Sequence, residues 1–592
     1  MVPTTFLCLC VVSAAAGGGP YNRVWHIGSK RKDIMARERR LLSSRVSACV
    51  DDFTIRPLSG ICNNLNNPGW GAPLQDLRRL IAPDYDDGKG TPRFDGLPSP
   101  RAVSTGCFSV DSDSTLEPSI NALVMQWGQF MAHDYVGTPK FKTKNCCSGI
   151  DADGKHPDID TDGTCFPIAI PSGDRHFNDC IPFTRSEPST LSTDHREQMN
   201  MLTSYIDGNT VYGGSVEEND QLRTKSGGLM ATAAGSDNLP PSDTMTCAKR
   251  PGYSCLNAGD FRANSFPGLA AMHTLWVREH NRLAVGLAAE NANWNDERLF
   301  QEARKIVIAS LQRITYNDWL VKVLGQTYFD AFNLGATYSY ADTVNPGLIN
   351  SFGTAANRFG HSQIRAKYRM TGDDVDTNVE DMIMDPSYVT DGFKEVLEGL
   401  LDAQNQKTDD KFPLGLTDHL LENVKKPGDA RDLISFNIQR GRDHGLPPYA
   451  EFQAKAVQFA IDKKLPTPTA ADLSCGNSLY TSTDDADLYV GAIKEEHVSG
   501  GLVGPTFAYI MGQQYSDIRF GDRFWHETTN TTIGFTTEQL AEIRKVNFAR
   551  VICVNAAIAT IQKDAFKIPS SGSNDEVSCH SLDDIDLSKW AE

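Results

Sequence analysis

Apolar residues recur at helical spacing through Ile120, Leu123, Val124, Trp127, Phe130 and Met131, the pattern of a helix that buries one stripe. The stretches from Leu269 to Ala289, Glu297 to Leu324 and Thr536 to Ile561 repeat it. Strand-like alternation is rare and short. Connections rich in Gly, Pro and Asp run from Asp84 to Pro100, Ser148 to Gly173 and Pro569 to Ser578, and read as surface loops rather than domain linkers. No repeat at solenoid or propeller periods is present. The pattern predicts a mainly α protein: one large helical domain with few short strands over residues 48–592.

Composition sharpens this picture. The 592 residues are 40% hydrophobic, with 27 Phe, 17 Tyr and 8 Trp, enough for a packed core and too many for a disordered chain. Asp plus Glu (75) exceed Lys plus Arg (57), a net charge of −18, which argues against nucleic acid as a partner.

Fourteen cysteines point to an oxidising compartment and a disulfide-stapled fold. Residues 1–16 carry an apolar run ending in small residues and read as a signal peptide, too short to span a bilayer. Residues 17–47 form a basic pro-segment or arm with Arg37-Glu38-Arg39-Arg40, a convertase-like sequence. Loss of Cys8 and Cys10 with the signal leaves twelve of 14 cysteines, an even number. Short spacings suggest Cys49–Cys62, Cys247–Cys255 and Cys553–Cys579 as staples, and two bridges among Cys146, Cys147, Cys165 and Cys180. Cys107 and Cys475 are left to pair with each other or between molecules. Asn530-Thr531-Thr532 is a glycosylation sequon. A secreted, extracellular protein with no transmembrane segment is expected.

The chemistry-bearing segments are few. H-E-x-x-H, Walker A, G-x-S-x-G and C-x-x-C-H are absent. The Asp-rich run from Asp158 to Gly163 starts like an EF-hand loop, but Ala169 occupies the twelfth position, where a ligating carboxylate is required. Gln129 and His133 are four apart and share one helix face, while Asp134 points elsewhere. Thr203, Tyr205, Asp207 and Asn209 alternate oxygen-bearing groups; with Asp134 they offer two carboxylates and several neutral oxygens, hard ligands suited to Ca²⁺. Arg358-Phe359-Gly360-His361 and the run from Asn437 to Gly445 complete the set. His273, His280, Arg442, His444, Trp276 and Trp319 read as structural residues.

Together these segments resemble the animal haem peroxidases. The matching blocks are CNNLNNPGWG at 62–71, WGQFMAHD at 127–134, TSYIDGNTVYG at 203–213, AGDFR at 258–262, REHNRLA at 278–284, RFGH at 358–361 and NIQRGRDHGLP at 437–447. The invertebrate peroxinectin-like branch looks most similar.

The resemblance implies haem b with His361 as proximal iron ligand and Asn437 accepting the hydrogen bond from its other ring nitrogen, fixing its tautomer. Arg440 and Arg358 are implied in cofactor binding, Arg440 through a haem propionate. His133 would be the distal acid–base residue, Gln129 its neighbour and Arg262 the distal arginine. Asp134, Thr203, the Tyr205 carbonyl, Asp207 and Asn209 would bind Ca²⁺. The family's two haem-ester carboxylates fall at Ala132 and Ser265, and Phe266 stands at the methionine that bonds the vinyl group in myeloperoxidase. Haem is therefore expected to be non-covalent.

The implied activity is a secreted peroxidase that uses hydrogen peroxide to oxidise phenols or tyrosine, iodide, thiocyanate or bromide through an oxidised haem. The alternative is a peroxinectin-like adhesion or matrix protein with secondary or no catalysis, engaging a cell-surface or matrix protein partner. A fatty-acid oxygenase ranks lower, because no matching tyrosine motif stands near His361.

Overall fold

The computed structural model describes Asp33, Cys49 and residues 54–592, apart from 111–114, 142–145, 148–162, 179, 243–249, 423–428 and 476–478. The signal and arm expected over 1–47, the Asp-rich run from Asp158 and Cys247 of the Cys247–Cys255 pair therefore lie outside the described residues, apart from Asp33 and Gly163.

Among the described residues, ten helices have eight or more residues: α1 (Pro100–Cys107), α2 (Leu123–Tyr135), α3 (Pro267–Glu290), α4 (Asp296–Arg313), α5 (Val321–Ala331), α6 (Ser387–Asp402), α7 (Leu433–Asp443), α8 (Tyr449–Lys463), α9 (Pro505–Phe520) and α10 (Phe548–Ala556). Strands occur only as two-stranded pieces, such as Leu116–Asn121 against Gln404–Gln406. The mainly α expectation holds, and no described helix is long and apolar enough to cross a membrane.

The centre of the fold is α3, which starts with Pro267 at its first turn and is buried on nearly all sides through its first two-thirds. Trp276 on α3 packs against Trp127 on α2 at 6.0 Å, and Phe548 and Phe566 close on Trp127 at 4.8 and 5.9 Å. These aromatic contacts fix the rotation of α2, and with it the direction of His133.

A π-helical turn, Ile314–Leu320, continues α4. It presents Trp319, whose indole N–H donates to the Val124 carbonyl at 2.8 Å. Trp319 also lies over Gly128, where a Cβ would stand 3.1 Å from the ring. The same ring meets Phe359, two residues before His361, at 6.2 Å. One tryptophan thus spaces α2 from the turn that carries His361. Trp276 and Trp319 are core residues, as expected.

Disulfides join Cys49–Cys62, Cys146–Cys165, Cys147–Cys180, Cys553–Cys579 and Cys107–Cys475. The last resolves the two unassigned cysteines as an intramolecular bond spanning 368 residues.

Candidate active site

His133 and Asp134 sit on the last turn of α2 and, as helical neighbours about 100° apart, point to different sides of it. Burial, and next the Arg262 guanidinium, hold the His133 imidazole well below its ordinary value, so it is neutral. Its Nδ1 is buried without a hydrogen-bond partner and stands 3.9 Å from Asp260 Oδ1. Arg262 is held by Asp260 through Nε (2.8 Å), Nη2 (2.9 Å) and its own backbone N–H (2.9 Å). Further bonds run from Arg262 to the carbonyls of Val136 (2.9 Å) and His133 (3.3 Å). The guanidinium is thus built into the end of α2. Gln129 accepts from Gln126 at 3.0 Å and donates to Ser265 Oγ at 3.4 Å.

His361 ends the 3₁₀ turn Ala356–His361. Burial first, and then the Arg358 charge, push its imidazole down to about 3, leaving it neutral and fit to ligate a metal. Asn437 on α7 lies 3.0 Å from His361 Nδ1, as expected, but presents its amide nitrogen. The reason is local: Arg358 Nη1 donates to Asn437 Oδ1 at 3.0 Å and claims the oxygen end.

A cavity of about 280 Å³ is lined by Lys140, Arg262, Arg358 and Arg440, with no carboxylate among the described lining residues. Arg440 is already paired with Asp443 Oδ2 at 2.7 Å and donates to Ser186 Oγ and the Thr184 carbonyl. Arg358 has only neutral partners, the Asn437 and Gly353 oxygens, and burial pushes it down to about 10. Burial and the nearby arginines likewise hold Lys140 well below its usual range. The Arg358 guanidinium, bonded only to neutral oxygens, makes the cavity fit an anionic group such as a haem propionate. A larger cavity of about 430 Å³, between α4 and residues 524–535, touches none of these residues.

On the other face of α2, Asp134 Oδ2 accepts from the backbone N–H groups of Asp207 (3.1 Å) and Gly208 (3.3 Å), and Oδ1 from Thr210 (3.1 Å). Thr203 Oγ1 donates to Asp207 Oδ2 at 2.8 Å and accepts from Asn209 Nδ2 at 3.1 Å. Asp207 Oδ1 is buried without a partner. Burial, with repulsion from Asp207, raises Asp134 to about 7; burial raises Asp207 to about 6. Two buried carboxylates and an unpartnered oxygen suit a hard cation. Tyr205 donates its hydroxyl to the Trp70 carbonyl at 2.8 Å. Gly71, at φ +72, lies so close that a Cβ would stand 2.6 Å from its ring, which explains the glycine of the 62–71 block.

The histidines read as structural are so. His273 binds the Thr210 carbonyl (2.9 Å), and His280 bridges the Tyr212 hydroxyl (2.9 Å) and Gly228 carbonyl (2.8 Å). His444 ties Ser186 to Asn350 and Thr354. Sequence reasoning missed Asp260, although it stands two residues before Arg262 in a quoted block, and Lys140.

Comparison with known proteins identifies the family and the fold. Residues 55–566 match the family described as Animal haem peroxidase. Mouse thyroid peroxidase is 35% identical, covering 91% of this chain but 63% of its own length. Peroxidase mlt-7 of Caenorhabditis elegans is 35% identical over 92% of this chain and 75% of its own. Peroxidasin of Drosophila melanogaster is 32% identical over 95% of this chain and 40% of its own. Among solved structures, Peroxidase A from Dictyostelium discoideum superposes with TM-score 0.70 at 28% identity, covering 87% of this chain and 99% of that one. An Arabidopsis thaliana fatty acid alpha-dioxygenase (TM-score 0.68, 18% identity, 88% and 85% coverage) shares the fold.

The mainly helical, disulfide-stapled fold is that of the haem peroxidases. Within it, this chain belongs to the animal haem peroxidase family.

Proposed function

We propose that the chain is a secreted peroxidase that reduces hydrogen peroxide and oxidises small donors: phenols or tyrosine, iodide, thiocyanate or bromide. The carrying observation is the pairing of a neutral, half-buried His133 with an Arg262 locked by Asp260, together with a neutral His361 backed by Asn437. Bound haem supplies the redox centre at which the peroxide O–O bond is broken.

The chain's own residues do the rest. With Nδ1 of His133 turned to Asp260, Nε2 takes a proton from peroxide and returns it to the departing oxygen, an effect of typically 10²–10⁴-fold. Arg262 stabilises the negative charge that develops there, and Gln129 borders the same face. His361, neutral and with Nδ1 beside Asn437, would hold the haem iron. Were a propionate to draw Arg358 away, the Asn437 amide would be released to turn its oxygen toward His361 Nδ1–H. Asp134, Thr203, the Tyr205 carbonyl, Asp207 and Asn209 hold Ca²⁺ and so brace the end of α2. Ala132 and Ser265 form no ester, leaving haem b non-covalent. Residues 1–16 act as signal peptide, 17–47 as a basic arm and 48–592 as the peroxidase domain.

The test is the visible spectrum of the purified protein before and after one equivalent of hydrogen peroxide. A Soret band that converts within milliseconds to an oxidised-haem spectrum supports the reading. A Soret band indifferent to peroxide refutes the catalytic role and favours the adhesion alternative.

A further inference from the structure

Away from the haem cavity, three side chains with no part in the proposed chemistry converge. His176 lies in the loop before residues Cys180–Ile181, and His419 and Glu422 lie in the turn before α7. Their ligating atoms all fall within 4.8 Å of one another. His419 Nδ1 is 2.6 Å from Glu422 Oε2, His176 Nε2 is 3.6 Å from Glu422 Oε1, and the two imidazole rings meet at 4.6 Å. The contact between His419 Nδ1 and Glu422 Oε2 joins two of them. It leaves His176 Nε2 unexplained: that atom is buried, makes no hydrogen bond and faces the same carboxylate.

We infer that His176, His419 and Glu422 form a binding site for a divalent transition-metal ion, Zn²⁺ being the ion their chemistry suits best. Two imidazoles and one carboxylate are a standard zinc donor set, leaving one position for water. With metal–ligand bonds of about 2.0–2.1 Å, tetrahedral ligand atoms stand about 3.3 Å apart. The ligating atoms, all within 4.8 Å of one another, need shifts of up to about 1.5 Å to reach that spacing.

The site is held in advance. Asp174, two residues before His176, accepts the His176 and Phe177 N–H groups at 2.9 Å and Arg101 Nε at 2.7 Å. Asp418, next to His419, takes Arg101 Nη2 at 2.9 Å and Arg175 Nε at 2.6 Å. Arg101 is fully buried and also binds Asp432, the residue that caps α7. One guanidinium thus fixes the two segments that carry the ligands, the arrangement that makes a metal site tight. The ion clasps the 171–177 loop to the 418–422 turn.

The test is equilibrium dialysis of the full, haem-loaded chain against ZnCl₂, with excess CaCl₂ present and zinc counted per haem iron. One Zn²⁺ per chain is expected, with X-ray absorption at the zinc edge showing two imidazole nitrogens. His176→Ala is expected to weaken binding by more than the roughly 100-fold lost on removing an outer partner, and to abolish the zinc-induced rise in thermal midpoint, with the Soret band unchanged. Glu422→Gln keeps the shape of the side chain and loses the charge; should His176→Ala not fold, this variant decides. Failure of the wild type to bind stoichiometric zinc, or retention of wild-type affinity in the decisive variant, overturns the site.

Discussion

Replacing Asp260 by asparagine removes one negative charge from beneath the catalytic pair without touching either member. Asp260 is 1% exposed and takes three donors of Arg262. Asparagine offers one oxygen where the carboxylate offered two, and turns an N–H group toward a guanidinium. Breaking a buried ion pair at one end costs about 3–5 kcal/mol. Arg262 keeps 24% of its side chain exposed, so water repays part of this and about 2–3 kcal/mol is expected. That lowers the thermal midpoint by a few degrees.

The kinetic effect is larger. Arg262 retains its bonds to the Val136 and His133 carbonyls, so it loosens rather than leaves. Full loss of such a charge donor costs roughly 10²–10³-fold; reaction with peroxide should slow by about 10- to 100-fold, toward the lower end of that range. The Asp260 charge also raises the proton affinity of His133 against burial and Arg262, so its loss moves the acid limb of the rate profile further below the imidazole's ordinary pH. The assay is stopped-flow absorbance of the Soret band after mixing with peroxide across pH 4–8. A rate within twofold of wild type at intact haem content, or an acid limb displaced upward, refutes Asp260 as the positioning residue.

Other outcomes follow from the same geometry. His361→Ala should lose the Soret band with helical content kept; an unchanged band after haem supplementation would remove His361 as ligand. Haem should pass completely into acidified organic solvent, because Ala132 and Ser265 provide no ester, and colour left on the chain would contradict this. Calcium removal should lower stability most at neutral and alkaline pH. Without the ion, Asp134 and Asp207 are raised to about 7 and about 6, so the folded apoprotein binds more protons than the unfolded chain. Its stability then falls as pH rises from about 4 through 7. Thermal melts in chelator at pH 5 and 8 measure this; equal loss at both would exclude the pair as the metal's carboxylates.

Much of this site is legible in sequence because its key neighbours are local. His133 and Asp134 point to different faces from helix geometry alone, about 100° apart, and Thr203 to Asn209 fall in one loop. Arg440 sits on the predicted face of α7, but so does Asp443, three residues on, which takes one of its donors; the same spacing argument, pursued one turn further, finds it. Arg358 and Asn437 are 79 residues apart, and no local pattern shows that the arginine claims the amide oxygen. The aromatic packing that sets the angle of α2, through Trp319 and Phe548, joins segments that only tertiary structure brings together. Cysteine parity left Cys107 and Cys475 as candidates, but proximity across 368 residues has no sequence signature.

That bond has a consequence for the chain as it is made. Translation adds about 5–20 residues per second, so Cys107 waits on the order of 20–70 seconds for its partner while Cys146, Cys147, Cys165 and Cys180 emerge within reach. During this interval early closure of the local pairs 49–62, 146–165 and 147–180 lowers the number of thiols with which it can mispair. The α1 segment, which carries Cys107 beside Arg101, is therefore locked to the fold late. A chain cut anywhere between the two cysteines still travels as one covalent body.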